Sequence, residues 1–68
     1  MSIARVTEIK STSCKSFDDA NRSGLARASK KLNNMKSAWI ENQEVMLADT
    51  GKITEYRVQM KVTFVLTD

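Results

Sequence analysis

Near the end of the chain Tyr56, Val58, Met60, Val62, Phe64 and Leu66 alternate with Arg57, Gln59, Lys61 and Thr63. A two-residue period puts the first set on one face of a β-strand and the second on the other, and it does not fit a helix. From Ile53 to Leu66 such a strand reaches roughly 43 Å at about 3.3 Å per residue. A compact domain of this size is only about 28 Å across, from a radius of gyration of about 11 Å. The strand is too long for its own domain. Its overhanging apolar face calls for a cover from outside the chain, and a second copy of the same chain is the simplest one.

The length of 68 residues corresponds to one domain, 1–68, and so short a chain buries only about 60% of its unfolded surface. Small domains of this kind need a further source of stability. A disulfide within the chain is excluded because Cys14 is the one cysteine, a usage that fits a reducing cytoplasm. The absence of histidine removes the usual structural zinc sites and imidazole acid/base chemistry. Oligomerisation is what remains.

Eleven Lys and Arg against eight Asp and Glu give a net charge of +3. These charges are scattered, whereas nucleic acid binding needs a concentrated basic stripe, so no nucleic acid partner is expected. The densest cluster, Arg27, Lys30 and Lys31, fits favourable charge at a helix C-terminus. No apolar run approaches the ~20 residues of a membrane span, and Met1-Ser2-Ile3-Ala4-Arg5 lacks the apolar core of a signal peptide. The expectation is a soluble cytoplasmic protein without a membrane partner.

Ile3, Val6 and Ile9 suggest a first strand over residues 3–10, followed by a polar loop at Ser11-Thr12-Ser13-Cys14-Lys15. Ser16 with Asp19 three residues on reads as a capping box opening a helix, with Asp18 and Asp19 in its positive first turn. Phe17, Ala20, Gly24, Leu25, Ala28 and Leu32 recur at helical steps and form its buried stripe. This predicts a helix ending near Asn33-Asn34, roughly 17 residues and about 26 Å long. Gly24 on that stripe points to close approach of helix and sheet. Residues 35–47 read as a second strand, with Ala38 and Ile40 on one face and Trp39, Val45 and Leu47 on the other. Asp49-Thr50-Gly51-Lys52 then makes a hairpin turn, with Gly51 suited to a positive φ. The fold class is α+β, in the order β-α-β-β, with a three-stranded antiparallel sheet packed on one amphipathic helix.

In this order and spacing the segments resemble the dodecin family of small β-α-β-β proteins. The resemblance runs through Arg5-Val6-Thr7-Glu8-Ile9, Ser11-Thr12-Ser13, Ser16-Phe17-Asp18-Asp19-Ala20, Ala28-Ser29-Lys30-Lys31-Leu32, Gly51-Lys52-Ile53 and Glu55-Tyr56. It implies a homododecamer built from trimers and a flavin ligand: FMN, riboflavin or FAD. In flavin-binding members a tryptophan at the start of the second strand stacks on the isoalloxazine ring, and the matching position here is Ser37. A glutamine on the third strand that bonds the flavin's polar edge is matched by Arg57. Gln43 matches a glutamine frequent in the family, and Asn42 replaces an acidic residue near the ribityl chain. Trp39, two residues beyond Ser37 and on the same strand face, either replaces the stacking indole or packs at a subunit interface, where tryptophan is enriched. The candidate cofactor-binding residues are therefore Ser37, Trp39, Asn42, Gln43 and Arg57.

A second branch of the family lacks the stacking tryptophan and is associated with calcium. This chain is similar to it at the Asp49-Thr50-Gly51-Lys52-Ile53-Thr54 turn and at Arg57. Calcium takes six to eight oxygen ligands, and Asp49, Glu41, Glu44 and Glu55 are too dispersed to supply them within one subunit, so any such site forms between subunits.

Two functions stay open: a shell that stores or sequesters a flavin in an altered site, and a shell without flavin that acts structurally or binds another small ligand or an ion such as calcium. Catalysis is not expected. Cys14 has no histidine to activate it, and Asp18 with Asp19 serves a helix start better than an acid/base pair. The overhang predicts that light scattering gives a mass several times that of the 7.7 kDa chain. A stable folded monomer would overturn both the overhang argument and the resemblance.

Overall fold

The computed structural model describes residues 3–66 in the order β1 (Ile3–Ser13), α1 (Phe17–Ala28), β2 (Met35–Leu47) and β3 (Ile53–Leu66). The strands form one antiparallel sheet in the spatial order β1-β3-β2. The long alternating strand is thus central, with Met60 opposite Ile9 on one side and Ile40 on the other. Val58, Met60 and Val62 are buried and join Ala20 of the helix, with Ile9, Phe17, Leu25, Ala38 and Ile40 packed around them. The face predicted to be apolar is the face that the helix covers. The other face of the sheet carries no helix.

The helix is shorter than its apolar stripe predicts. Regular α-structure stops at Ala28, and Lys30 and Lys31 donate to the carbonyls of Arg27 and Ala28, three residues back. Such tightening of a last turn satisfies carbonyls left free at a helix end. Leu32 still donates to Ala28, so the turn continues the helical path for one more step. Asn34 then adopts φ 60°, a conformation that asparagine tolerates better than most residues. Twelve residues span about 18 Å, not the 26 Å expected. The sheet is left with longer overhangs, and the molecule measures 54 × 19 × 13 Å with a radius of gyration of 14.2 Å.

The helix start keeps half of the expected capping box. Ser16 accepts from the Asp19 amide at 2.9 Å, while the Asp19 carboxylate accepts from Ser13 Oγ at 2.6 Å. Asp19 therefore ties the end of β1 to the helix. Ser13 Oγ also accepts from the Lys15 amide, which explains why so polar a side chain is buried. The expected loop at residues 11–15 is correspondingly shorter, because β1 continues through Ser11 to Ser13, opposite Val58 to Tyr56.

On β2 the bounds agree with expectation, but the faces do not hold along its whole length. The register slips between Ile40 and Asn42, leaving Glu41 as an extra residue. A bulge of this kind reverses the side to which later residues point. Val45 consequently lies opposite Tyr56 on the helix side, not with Trp39. At the hairpin, Gly51 takes φ 86° as its turn requires.

Gly24 sits where the helix comes closest to the sheet. A Cβ there would lie 2.8 Å from Ser11 Cβ and 2.9 Å from Met60 Cε. Met60 can swing its methyl away, whereas Ser11 Cβ is fixed to the strand. Gly24→Ala gains about 1 kcal/mol of helix propensity but costs about 1–3 kcal/mol in overpacking. The expected outcome is a net loss of stability of about 1 kcal/mol, seen as a lower Tm; an unchanged or higher Tm would show that the helix lifts off the sheet at little cost.

Candidate functional site

The side of the sheet away from the helix is lined by the polar set of β3 and its partners. Thr63 faces Ser37, Lys61 faces Trp39, Gln59 faces Asn42, and Arg57 faces Glu44 on β2. On β1 the same residues meet Val6, Glu8, Lys10 and Thr12. Trp39 is 67% exposed, an unusual state for an indole that can bury so much apolar area. Lys61 Nζ stands 5.9 Å from the centre of its ring and 3.4 Å from Glu41 Oε2. The bulge places Glu41 for that ion pair, which holds the ammonium beside the indole.

Farther along the strands lies a groove of about 480 Å³ walled by Lys10, Thr12, Asn42, Gln43, Glu44, Arg57 and Gln59, with Ser11 and Val58. This is the size range of small-molecule sites. Arg57 directs Nε and Nη2 to the same Glu55 oxygen, both at 3.2 Å, with its side chain 46% exposed. A half-exposed ion pair is weakly held, so a ligand anion can compete for the guanidinium. Gln59 donates to Glu8 and links β3 to β1 across the groove floor.

Of the five sequence-predicted residues, the fold brings Asn42, Gln43 and Arg57 to one groove and leaves Ser37 and Trp39 outside it. Gln43 enters from the other side, since its opposite residue is the buried Val58. Ser37 lies six β3 positions from Arg57, about 20 Å at the strand rise, and Trp39 lies four positions away, about 13 Å. Ser37 instead borders a smaller apolar hollow of about 190 Å³ with Leu25, Met35, Ala38 and Val62. Sequence reasoning missed Lys10, Thr12, Glu44 and Gln59. Gln59 was signalled by the polar face of β3, but Lys10 and Thr12 depended on a β1 register that an imperfect alternation does not supply. Among the described residues no three of His, Cys, Asp and Glu come together as a metal cluster, and no helix is long and apolar enough to cross a membrane.

A family model described as Dodecin matches residues 3–67. No curated protein matches the sequence. Among solved structures, the dodecin from Streptomyces davaonensis is 37% identical, with a TM-score of 0.92 over 98% of this chain and 97% of that one. The dodecin from Streptomyces coelicolor is 28% identical, with a TM-score of 0.91 over 98% of this chain and 94% of that one. A calcium dodecin from Mycobacterium tuberculosis, described as a calcium chelating immunodominant antigen with a novel calcium-binding site, is 26% identical, with a TM-score of 0.82 over 96% of this chain and 91% of that one. With the family model spanning nearly the full length and the β-α-β-β fold superposing end to end, this chain belongs to the dodecin family.

Proposed function

We propose that the chain works as a non-catalytic, cytoplasmic binding protein, assembled into a homododecamer from trimers, that stores or sequesters a flavin on the open face of its sheet. The exposed Trp39 carries this reading. An indole 67% open to water beside an ordered polar groove is a ready stacking platform. Relative to Ser37 it sits two residues nearer to Arg57, and it shortens the stack-to-guanidinium span from about 20 to about 13 Å. A flavin stacked there points its ring edge or side chain at Asn42, Gln59 and Arg57 rather than at the family's usual partners. Assembly supports the same reading, because Ile3, Val6, Leu47, Ile53 and Leu66 are also exposed apolar groups that a single chain leaves uncovered.

A second reading is a shell that holds no flavin and acts structurally or binds another small ligand or an ion such as calcium. The serine at position 37 favours it, since a hydroxymethyl group offers no ring face. Calcium in such a shell needs carboxylates from more than one subunit, because Glu41 and Glu55 are already engaged by Lys61 and Arg57.

The two are separated by titrating riboflavin and FMN with the assembled protein and following flavin fluorescence. The first reading expects quenching by the native protein and a 10- to 100-fold weaker affinity in Trp39→Ala, the loss of a stacking contact worth about 1–3 kcal/mol. Absence of quenching by the native protein together with quenching by Ser37→Trp would establish the second reading.

A further inference from the structure

Lys61 is flanked by Trp39 on β2 and by Glu8 on β1, on the face of the sheet that carries no helix. Glu8 accepts from the Gln59 amide, and the ion pair of Lys61 is made with Glu41 instead. The lysine Nζ stands 5.9 Å from the centre of the indole, within range of a cation–π contact, and 3.4 Å from Glu41 Oε2. Exposure rises in steps through this trio: the side chain of Glu41 is 22% exposed, that of Lys61 is 40% exposed, and Trp39 is 67% exposed. A ring arriving at the indole therefore meets the ammonium before the carboxylate.

The second oxygen of that carboxylate, Glu41 Oε1, is shut off from solvent and has no hydrogen-bond partner among the described residues. A buried acceptor in this state costs free energy that a donor recovers. An ammonium has three N–H donors, and that of Lys61 is already at the neighbouring oxygen. When it moves off the ring and onto Glu41, two donors serve the two carboxylate oxygens and the third is left for whatever has stacked on the indole. The move needs only rotation about the bonds of a flexible four-carbon stem, with no shift of the strand. Lys61 thus has one position over the indole and another on Glu41, and the second gains the oxygen that the first leaves unpaired.

We propose that Lys61 is the specificity-determining residue of the Trp39 platform, selecting among flat heteroaromatic rings for one whose edge is electron-rich or anionic. The proposal rests on the reading of Trp39 as a stacking surface. Stacking tolerates any flat ring, so discrimination comes from the ammonium, which donates more strongly to an anionic acceptor than to a neutral one. Of the other cations on this face, Lys10 stands on β1 opposite Gln59, and Arg57 is paired with Glu55 about 13 Å along β3 from Trp39. For a flavin the distinction falls between redox states. The oxidised isoalloxazine is neutral, whereas the two-electron-reduced ring readily loses the N1 proton, and charge beside that edge is a means by which proteins tune flavins.

The test is titration of the assembled protein with riboflavin, oxidised or reduced by dithionite without oxygen at mildly alkaline pH, followed through the emission of the sole tryptophan. Riboflavin carries no phosphate, so the ring and its edge are what the protein reads. The measured quantity is the ratio of the two dissociation constants. In Lys61→Gln the affinity for the reduced form is expected to fall about tenfold relative to that for the oxidised form. Lys61→Arg, which keeps the charge, is expected to keep most of the native ratio, and Lys52→Gln, which removes a cation from the β2–β3 turn, to leave it unchanged. Binding of both forms with the same ratio in the native protein and in Lys61→Gln, or an equal fall in Lys52→Gln, would overturn the assignment of Lys61 and leave the flavin reading standing. Binding of neither form would remove the flavin reading and this proposal with it.

Discussion

The mismatch between a 14-residue central strand and a 12-residue helix governs the rest of the molecule. Both elements have nearly the same number of residues, but a strand rises about 3.3 Å per residue and a helix about 1.5 Å. The helix therefore covers less than half of the strand beneath it. Full burial is confined to Val58, Met60, Val62 and Ala20, where the helix lies across the middle of the sheet. Beyond that stretch, Ile3, Leu66, Leu47 and Ile53 remain exposed at the two ends of the strands. A fold with so small a buried centre leaves these apolar groups for a partner to cover, and in the proposed assembly any ligand site on the uncovered face would take its surroundings from neighbouring copies.

How much of this was legible depended on whether a feature is local to one segment or created by pairing. The faces of β3 could be read directly because its side chains alternate without interruption, and the bounds of β2 followed from Asn34 before it and the Asp49–Lys52 turn after it. Gly24 was readable as a contact point because a glycine on an apolar helical stripe has few other reasons to be there. The extension of β1 through Ser11-Thr12-Ser13 was not readable. Its polar residues look like a loop, and they become strand because β3 offers partners as far as Tyr56. The helix end was hidden for a related reason: Leu32 keeps the apolar spacing through a tightened turn that is no longer α-helix.

The candidate site was legible in composition and not in arrangement. Arg57 and Gln59 could be assigned to the wet face of β3 from alternation alone. The bulge at Glu41 could not, because it exists only relative to the partner strand, and it decides that Asn42 faces the groove while Gln43 opposes Val58. It also carries Glu41 toward Lys61, and so fixes the ammonium beside Trp39. One extra residue thus sets both which amide meets a ligand and what stands next to the indole.

That local geometry bears on the chemistry of the open face. An ammonium near an aromatic ring is attracted to its electron-rich face by about 0.5–1 kcal/mol at an exposed site, and its attraction to Glu41 is of similar size. Neither is strong enough to close the indole to a larger ring, whose stacking is worth about 1–3 kcal/mol. A flat ligand can displace the lysine from the ring while Glu41 still holds it at the rim. The ammonium then lies beside the ligand instead of beside the indole, where it favours electron-rich or anionic rings over neutral ones. On the proposed flavin reading, then, the serine at position 37 is offset by an indole on the same face of the strand, two residues along, with a cation over its ring.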